Sequence, residues 1–276
     1  MRKFFKIIMA LTITTMLTGC GIKFGVESRN NNWFKQSFSN NEDSESNDSS
    51  YSSSNVNISE SIEGIKNLDI SIDVSNVDIE YYDGDNLEIS GVLSKYSRGI
   101  NTEKTSNKFI IKESSKKNAN INSDNASKLK IKIPRGFNGD LEFDFGVSEC
   151  EVHDLELNNL VINSGVGSLS LKEVSFNKLD LESGVGEVSL ETEKKTGDIK
   201  IEGGVGEIYV SLGDINGNLE LEGGLGSATI KIPTDAPINI TSDAGLGGVN
   251  IKAKTSNEAK FNFDLSVGLG SIDVTN

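Results

Sequence analysis

Carboxylates recur at a fixed interval in the C-terminal half of the chain, and they are the residues best suited to chemistry. Glu182, Glu202 and Glu222 are evenly spaced, and Glu187 and Glu207 repeat the same interval. If successive segments stack in register, equivalent residues lie roughly 5 Å apart and the glutamates form two acidic columns. Oxygen ligands in such columns suit a divalent cation such as calcium. A solvated acidic face is the alternative interpretation.

Other catalytic and ligand-binding patterns are missing from the sequence. His153 is the sole histidine, and neither a Ser-His-Asp set nor a cysteine cluster accompanies it. We therefore expect no triad chemistry and no histidine-rich metal site, and we expect His153 to have a surface or capping role. The glycine strings at 203–207 and 223–227 look like a calcium-binding nonapeptide, but Ile208 and Ala228 stand where its aspartate belongs. We therefore expect no cofactor and no enzymatic activity.

The glutamates belong to a repeated unit in which a glycine-rich bend, here called the knuckle, joins two alternating segments. The unit is clearest in LDLESGVGEVSL (179–190), IKIEGGVGEIYV (199–210) and LELEGGLGSATI (219–230). Self-similarity with a period of about 20 residues indicates a solenoid. The glycine before the central Val or Leu recurs at nearly even intervals, at Gly146, Gly165, Gly184, Gly204, Gly224, Gly245 and Gly268.

Alternation on both sides of each knuckle predicts which side chains face inward. Leu179 and Leu181 precede one knuckle, and Val188 and Leu190 follow it, which places the four on one face of extended chain. Two glycines in every unit exclude a helix, because each would cost about 1 kcal/mol in a helix interior. The sequence predicts an all-β fold, a single-stranded β-solenoid or β-helix with coils of about 20 residues. A β-sandwich of hairpins is the alternative.

The knuckle glycines have a predicted structural role. A sharp bend between two strands needs positive φ or a residue without a Cβ, and glycine provides both. The Val or Leu between the glycines is expected to fill the inner corner of each coil; these residues are Val166, Val185, Val205, Leu225, Leu246 and Leu269. The predicted structural glycines are Gly165, Gly167, Gly184, Gly186, Gly204, Gly206, Gly224, Gly226, Gly245, Gly247, Gly268 and Gly270.

The N-terminus has the features of a lipoprotein signal. Three basic residues lie in the first six positions, an apolar stretch follows at 7–17, and the sequence then reads Leu17-Thr18-Gly19-Cys20. A basic start and a short apolar segment are typical of a secretory signal peptide. The last four residues resemble the lipobox of bacterial lipoproteins, which implies that Cys20 carries two acyl groups, palmitate among them, and becomes the mature N-terminus. Two acyl chains anchor a protein stably to a membrane, whereas one does so only marginally.

Composition divides the chain into four predicted segments. Residues 1–19 form the signal peptide, and 20–57, rich in Asn and Ser, form a disordered tether behind the lipidated cysteine. Residues 58–134 are predicted to be an irregular β region that caps the solenoid, with polar loops at 94–106 and 114–127. Residues 135–276 hold the knuckle repeats, and Phe261, Phe263 and Leu265 are expected to make the final coil a closing layer.

Charge and cysteine content restrict the partners. The chain has 27 Lys and Arg against 41 Asp and Glu, a formal net charge of −14, which argues against nucleic acid or anionic lipid as a partner of the folded part. Apart from Cys20 the only cysteine is Cys150, so no intrachain disulfide is expected. Its place in the alternation predicts a buried side chain.

The lipobox, the polar tether and the SGVG, GGVG and GGLG knuckles together resemble a bacterial adhesin family of unknown function with β-strand repeats, which includes lipoproteins of the Gram-positive envelope. The resemblance covers residues 68–274 and implies a β-solenoid without catalytic residues. It further implies an extracytoplasmic protein, lipid-anchored to the outer face of the cell membrane, that binds cell-wall polymer, host matrix or an envelope protein. An accessory role in envelope-stress sensing and a carbohydrate-active β-helix enzyme are the alternatives.

Overall fold

The computed structural model describes residues 53–116 and 125–276, and every regular element in these ranges is a β-strand. No helix in this part of the chain is long and apolar enough to cross a membrane. The signal peptide, Cys20 and nearly all of the tether lie outside the described residues. The strands are β1 (Ser54–Ser61), β2 (Asn67–Tyr82), β3 (Asn86–Leu93), β4 (Ser97–Lys104), β5 (Lys108–Ser115), β6 (Ser127–Pro134), β7 (Asp140–His153), β8 (Glu156–Lys172), β9 (Ser175–Val205), β10 (Ile208–Ile215), β11 (Leu219–Lys231), β12 (Ile238–Ile251) and β13 (Phe261–Thr275).

Parallel pairing between successive coils forms the body of the protein. Leu141 of β7 pairs with Leu160 of β8, which in turn pairs with Leu179 of β9. Strand β9 is long enough to serve two coils, and β10 and β11 continue the stack with nearly the same step from coil to coil. This pattern confirms the predicted all-β solenoid with coils of about 20 residues.

The core consists of aliphatic rows that run along the solenoid. Leu181, Ile201 and Leu221 occupy equivalent positions in three coils, and all three are fully buried. Burying each such side chain contributes about 1.5–3 kcal/mol relative to leaving it exposed. A coil has no other way to cover its apolar face, so the rows stabilise the fold only when neighbouring coils are in register.

The N-terminal end of the stack is covered by additional strands. β2 pairs in parallel with β7 on one side and with β5 and β6 on the other. β3 then pairs antiparallel with β6, β1 with β3, and β4 with β5. The expectation of a polar loop at 94–106 is wrong, because the backbone of β4 forms a ladder with β5. β1 begins at Ser54, inside the segment predicted to be a tether.

At the C-terminal end, the spatial order of the coils differs from their order along the chain. Phe263 of β13 pairs with Leu219 of β11 on one side and with Ile240 of β12 on the other, so β13 lies between the two. The expectation that Phe261, Phe263 and Leu265 form a closing layer is therefore wrong. Phe263 is buried because it has a coil on each side, and β12 is the last coil of the stack.

The second glycine of each knuckle lies where a side chain does not fit. Gly206 has a φ of 147°, and a Cβ built on it would lie 1.6 Å from the carbonyl oxygen of Gly186 in the neighbouring coil. That φ is unfavourable for any residue with a Cβ, and the contact is with backbone that cannot move aside. Close stacking of the knuckles therefore depends on glycine.

We predict that Gly206→Ala destabilises the protein by more than about 2 kcal/mol, because it combines backbone strain with a clash against the neighbouring coil. Gly136→Ala is the matched control, since a Cβ there meets no atom within 4 Å, and it should change stability by less than about 0.5 kcal/mol. Urea unfolding of the two variants provides the measurement. Equal stabilities would show that the knuckles do not stack this closely.

Candidate functional site

The aliphatic residue of each knuckle forms one continuous row on the outside of the solenoid, which we call the aliphatic ridge. Pairing between coils joins Val147 to Val166, Val205 to Leu225, and Leu225 to Leu269. Val185 and Val205 belong to consecutive turns of β9, whose flanking glycines stack directly on each other. In spatial order the ridge is Val74, Val147, Val166, Val185, Val205, Leu225, Leu269 and Leu246.

The ridge faces solvent, so the expectation that these residues fill the inner corner is wrong. Val147, Leu225 and Leu269 are 46, 48 and 49% exposed, and Leu246 is 73% exposed. The corner is already filled from the next strand: a Cβ on Gly203 would lie 2.7 Å from the Cδ1 atom of Ile208. Since an inward side chain occupies that space, the knuckle residue points outward.

Glycine columns on both sides leave six of the eight ridge residues without flanking side chains, the exceptions being Val74 and Val147. Gly184 and Gly186 border Val185, and the same arrangement recurs at Val205 and Leu225. Eight coils at about 4.8 Å give a strip roughly 34 Å long. Exposed apolar surface of this extent on a protein indicates an interaction site.

The glutamate columns lie on the coils where the repeat predicts them. Glu222 pairs with Glu202 across neighbouring coils, and Glu182 pairs with Asn163 of the preceding one. Lys200 forms an ion pair with Glu202 at 2.5 Å, and this hydrogen bond raises the pKa of the Lys200 ammonium group. A lysine therefore offsets part of the charge repulsion in this column. Glu187 and Glu207 are exposed at the equivalent position after each knuckle, and cation binding by either column stays a prediction.

An open groove of about 480 Å³ runs beside the first strands of the coils. Lys108 and Lys178 are its cationic residues, and Asp140, Glu142 and Asp180 are its carboxylates. Lys108 lies 2.7 Å from Asp69, and the Asp140 carboxylate accepts hydrogen bonds from the amides of Asn158 and Asn159. These contacts engage Asp140 and Lys108 in structural pairs, which does not favour a general acid and base acting on a sugar.

A second charged site, which we call the charge cluster, joins β2, β6 and β7. Its members are Asp78, Glu80, Lys130 and His153. His153 Nε2 lies 3.0 Å from Asp78 Oδ1 and 3.3 Å from Glu80 Oε2. The Lys130 ammonium group lies 2.9 Å from the other oxygen of Asp78 and 2.7 Å from Glu80 Oε1. Two cationic and two anionic groups thus alternate in a closed ring.

Electrostatics keeps Asp78, Lys130 and His153 of the charge cluster ionised near neutral pH. Hydrogen bonding to Asp78 outweighs burial and raises the pKa of His153 to about 9. Burial acts to raise the pKa of Asp78, but hydrogen bonds from His153 and Lys130 outweigh it and the pKa is lowered. For Lys130, burial acts to lower the pKa, but bonds to Glu80 and Asp78 outweigh it and the pKa is raised.

Asp78, Glu80 and His153 are also the one group of three potential metal ligands whose atoms converge within the described residues, all lying within 4.8 Å of one another. Zinc uses such ligands. A metal here would have to displace the tightly held imidazole proton and lie next to the Lys130 ammonium group. The geometry therefore supports an ion-pair cluster that stabilises the fold. Sequence reasoning missed it because Asp78 and His153 are far apart along the chain.

The structure describes Cys150 but not Cys20. Cys150 is buried, and burial raises the pKa of its thiol well above the usual value. That confirms the prediction of a buried side chain and leaves little reactive thiolate. Cys20 lies outside the described residues, so its lipidation stays a prediction.

We predict that His153→Gln makes the free energy of unfolding less dependent on pH. Because the folded-state pKa of about 9 exceeds the ordinary 6.5, the contribution of His153 is fully present below pH 6.5 and is lost as the pH rises through 9. Asp78 acts in the opposite sense, since its contribution is present above 3.8 and is lost as the pH falls through its lowered pKa.

Urea unfolding at pH 6 and pH 9.5 measures this effect. Over that interval the wild type should lose on the order of 1–3 kcal/mol more than the variant. Arg135→Gln removes a solvent-exposed ion pair with Asp83 and should leave the pH dependence unchanged. Parallel profiles for the wild type and His153→Gln would contradict the assignment.

Comparisons with known proteins find one protein family and several similar solved structures. The model of a protein family described as Toastrack DUF4097 matches residues 65–275. No functionally curated protein matches the sequence. A solved structure from Clostridium sporogenes, named as a candidate cell-adhesion protein, is 14% identical, covers 81% of this chain and 99% of its own, and has a TM-score of 0.42. A candidate adhesin from Bacteroides fragilis is 17% identical, with coverages of 81% and 98% and a TM-score of 0.41.

Proposed function

The chain belongs to the Toastrack DUF4097 family, and from that premise we propose that this protein is a non-enzymatic binding protein of the cell envelope. The aliphatic ridge is the observation that carries the proposal. Four of its eight side chains, those of Val147, Leu225, Leu269 and Leu246, are 46–73% exposed, and none of the eight belongs to the buried core. An exposed apolar surface of this kind lowers the solubility of a protein unless a partner covers it.

The chemistry of the ridge indicates the class of partner. A strip of aliphatic side chains bordered by bare glycine offers contact area but few polar groups. Polysaccharides and nucleic acids are recognised through hydroxyl and phosphate groups, and the net charge of −14 also opposes nucleic acid. Among cell-wall polymer, host matrix and envelope proteins, the ridge favours a protein that presents an apolar face to it.

The second part of the proposal is that the protein is anchored to the cell membrane. A diacylated Cys20 would hold the protein on the outer face of the cell membrane, with the tether between the lipid and the solenoid. A flexible stretch of n residues spans about 5–6 Å × √n, which gives a reach of a few tens of ångströms for this tether. The ridge would then face partners within the envelope or just beyond it.

Binding through the ridge is tested with the double variant Leu225→Asp and Leu269→Asp. These neighbours are half-exposed, so we expect stability to change by less than about 1 kcal/mol. Two charges within an apolar interface should weaken binding at least about tenfold. The measurement is saturable binding of the purified full-length protein to isolated envelope and extracellular-matrix fractions.

The matched control adds the same charge elsewhere, with Asn101→Asp and Thr102→Asp on the exposed face of β4. It should bind like the wild type. Equal binding by the ridge variant, or no saturable binding by the wild type, would contradict the proposed function.

Lipid anchoring is tested separately with Cys20→Ala. Metabolic labelling with a palmitate analogue should mark the wild type and not the variant, because Cys20 is the proposed acceptor. The variant should also move from the membrane pellet to the soluble fraction. Undiminished labelling of the variant would exclude Cys20 as the lipidation site.

A further inference from the structure

The last coil of the solenoid is open on its outer side within the described part of the chain. Strand β12 ends the sheet, with β13 as its partner on one side and no strand on the other. Every residue from 245 to 251 is exposed. At the opposite end, β1, β3, β5 and β6 continue the sheet beyond the first coil.

The open end leaves inward-facing core positions uncovered. Val249 and Ile251 pair with Ile272 and Val274 of β13 and continue their rows. Ile272 and Val274 are fully buried, whereas Val249 and Ile251 are 44 and 43% exposed. The aliphatic rows therefore stop at the last coil without the polar outer layer that terminal repeats normally have.

The backbone of β12 lacks the features that protect an edge strand. Natural edges are kept from pairing by short length, lysines, prolines or bulges. β12 is 14 residues long, contains no lysine or proline, and has one charged residue, Asp243. Its pairing with β13 keeps the same register from Ile238 to Ile251.

We propose that the outer edge of β12 pairs antiparallel with β12 of a second copy of this chain, forming a two-fold symmetric dimer. Two identical edges of 14 residues match in length, whereas the β1 edge at the other end has only 8. A two-fold symmetric contact also pairs the open edge of each copy with that of the other. No open β12 edge remains, so assembly stops at two copies.

Charge sets the register of this pairing. Asp243 and Lys252 are both exposed, and within the described residues neither side chain has an ion-pair or hydrogen-bond partner. An antiparallel register that brings Asp243 of one copy opposite Lys252 of the other forms the same pair twice by symmetry. It also places Ala244 opposite Ile251, so two inward-facing apolar side chains cover one another.

Cross-linking of the full-length protein in membranes tests the dimer. Gly248→Cys lies next to the predicted two-fold axis, and a side chain there meets no atom within 4 Å. A short bis-maleimide should convert it to a covalent dimer at twice the mass of the monomer in the same membranes. Gly136→Cys is equally unobstructed but lies outside β12, so it and the wild type should remain monomeric under the same conditions.

Charge reversal in the Gly248→Cys background tests the register. Asp243→Lys and Lys252→Asp should each reduce the cross-linked fraction at least about fivefold, since each places like charges opposite one another. The two together should restore it, which a merely misfolded variant would not do. Failure of Gly248→Cys to cross-link would overturn the proposal and point to another occupant, such as the N-terminal segment or a different protein. Equal cross-linking of Gly136→Cys, or no rescue by the double reversal, would also overturn it.

Discussion

Each coil of this protein exposes an apolar face that only the neighbouring coils can cover, and the rest of the structure follows from that constraint. Leu181, Ile201 and Leu221 are fully buried because they stack in register. Shifting one coil by a single residue would turn its core side chains outward. Glycine at the knuckle is part of the same requirement, since a side chain on Gly206 would collide with the carbonyl of Gly186, and one on Gly186 with the carbonyl of Gly167.

Regular stacking also determines what appears on the surface. A residue that recurs at an outward-facing position of each coil forms a row on the outside of the solenoid, as glutamate and valine do here. The aliphatic ridge is such a row, and it gives the solenoid an extended apolar feature on its surface. The charge cluster of Asp78, Glu80, Lys130 and His153 lies at the first coils and helps hold the N-terminal strands to the solenoid.

The sequence predicts the body of the fold well because the repeat is local and regular. Coils that share nearly the same length and the same alternation, such as those of Leu179 and Ile199, have one register in which their apolar faces match. The outward direction of Val205 and Leu225 was not predictable from alternation, because the bend changes the inward phase and Ile208 fills the corner. The position of β13 between β11 and β12 was missed for a different reason. Parallel coils with similar patterns stack in either order, and spacing alone does not distinguish them.

Coupling between neighbouring coils is the most direct test of this account. Ile201→Val and Ile162→Val make the same change at buried positions, but Ile201 pairs with Leu221 whereas Ile162 lies three coils away from it. Double-mutant cycles with Leu221→Ala, measured by urea unfolding, should give a coupling of at least about 0.5 kcal/mol for Ile201 and additivity within about 0.3–0.5 kcal/mol for Ile162. Additivity for both pairs, or equal coupling in both, would contradict burial by neighbouring coils.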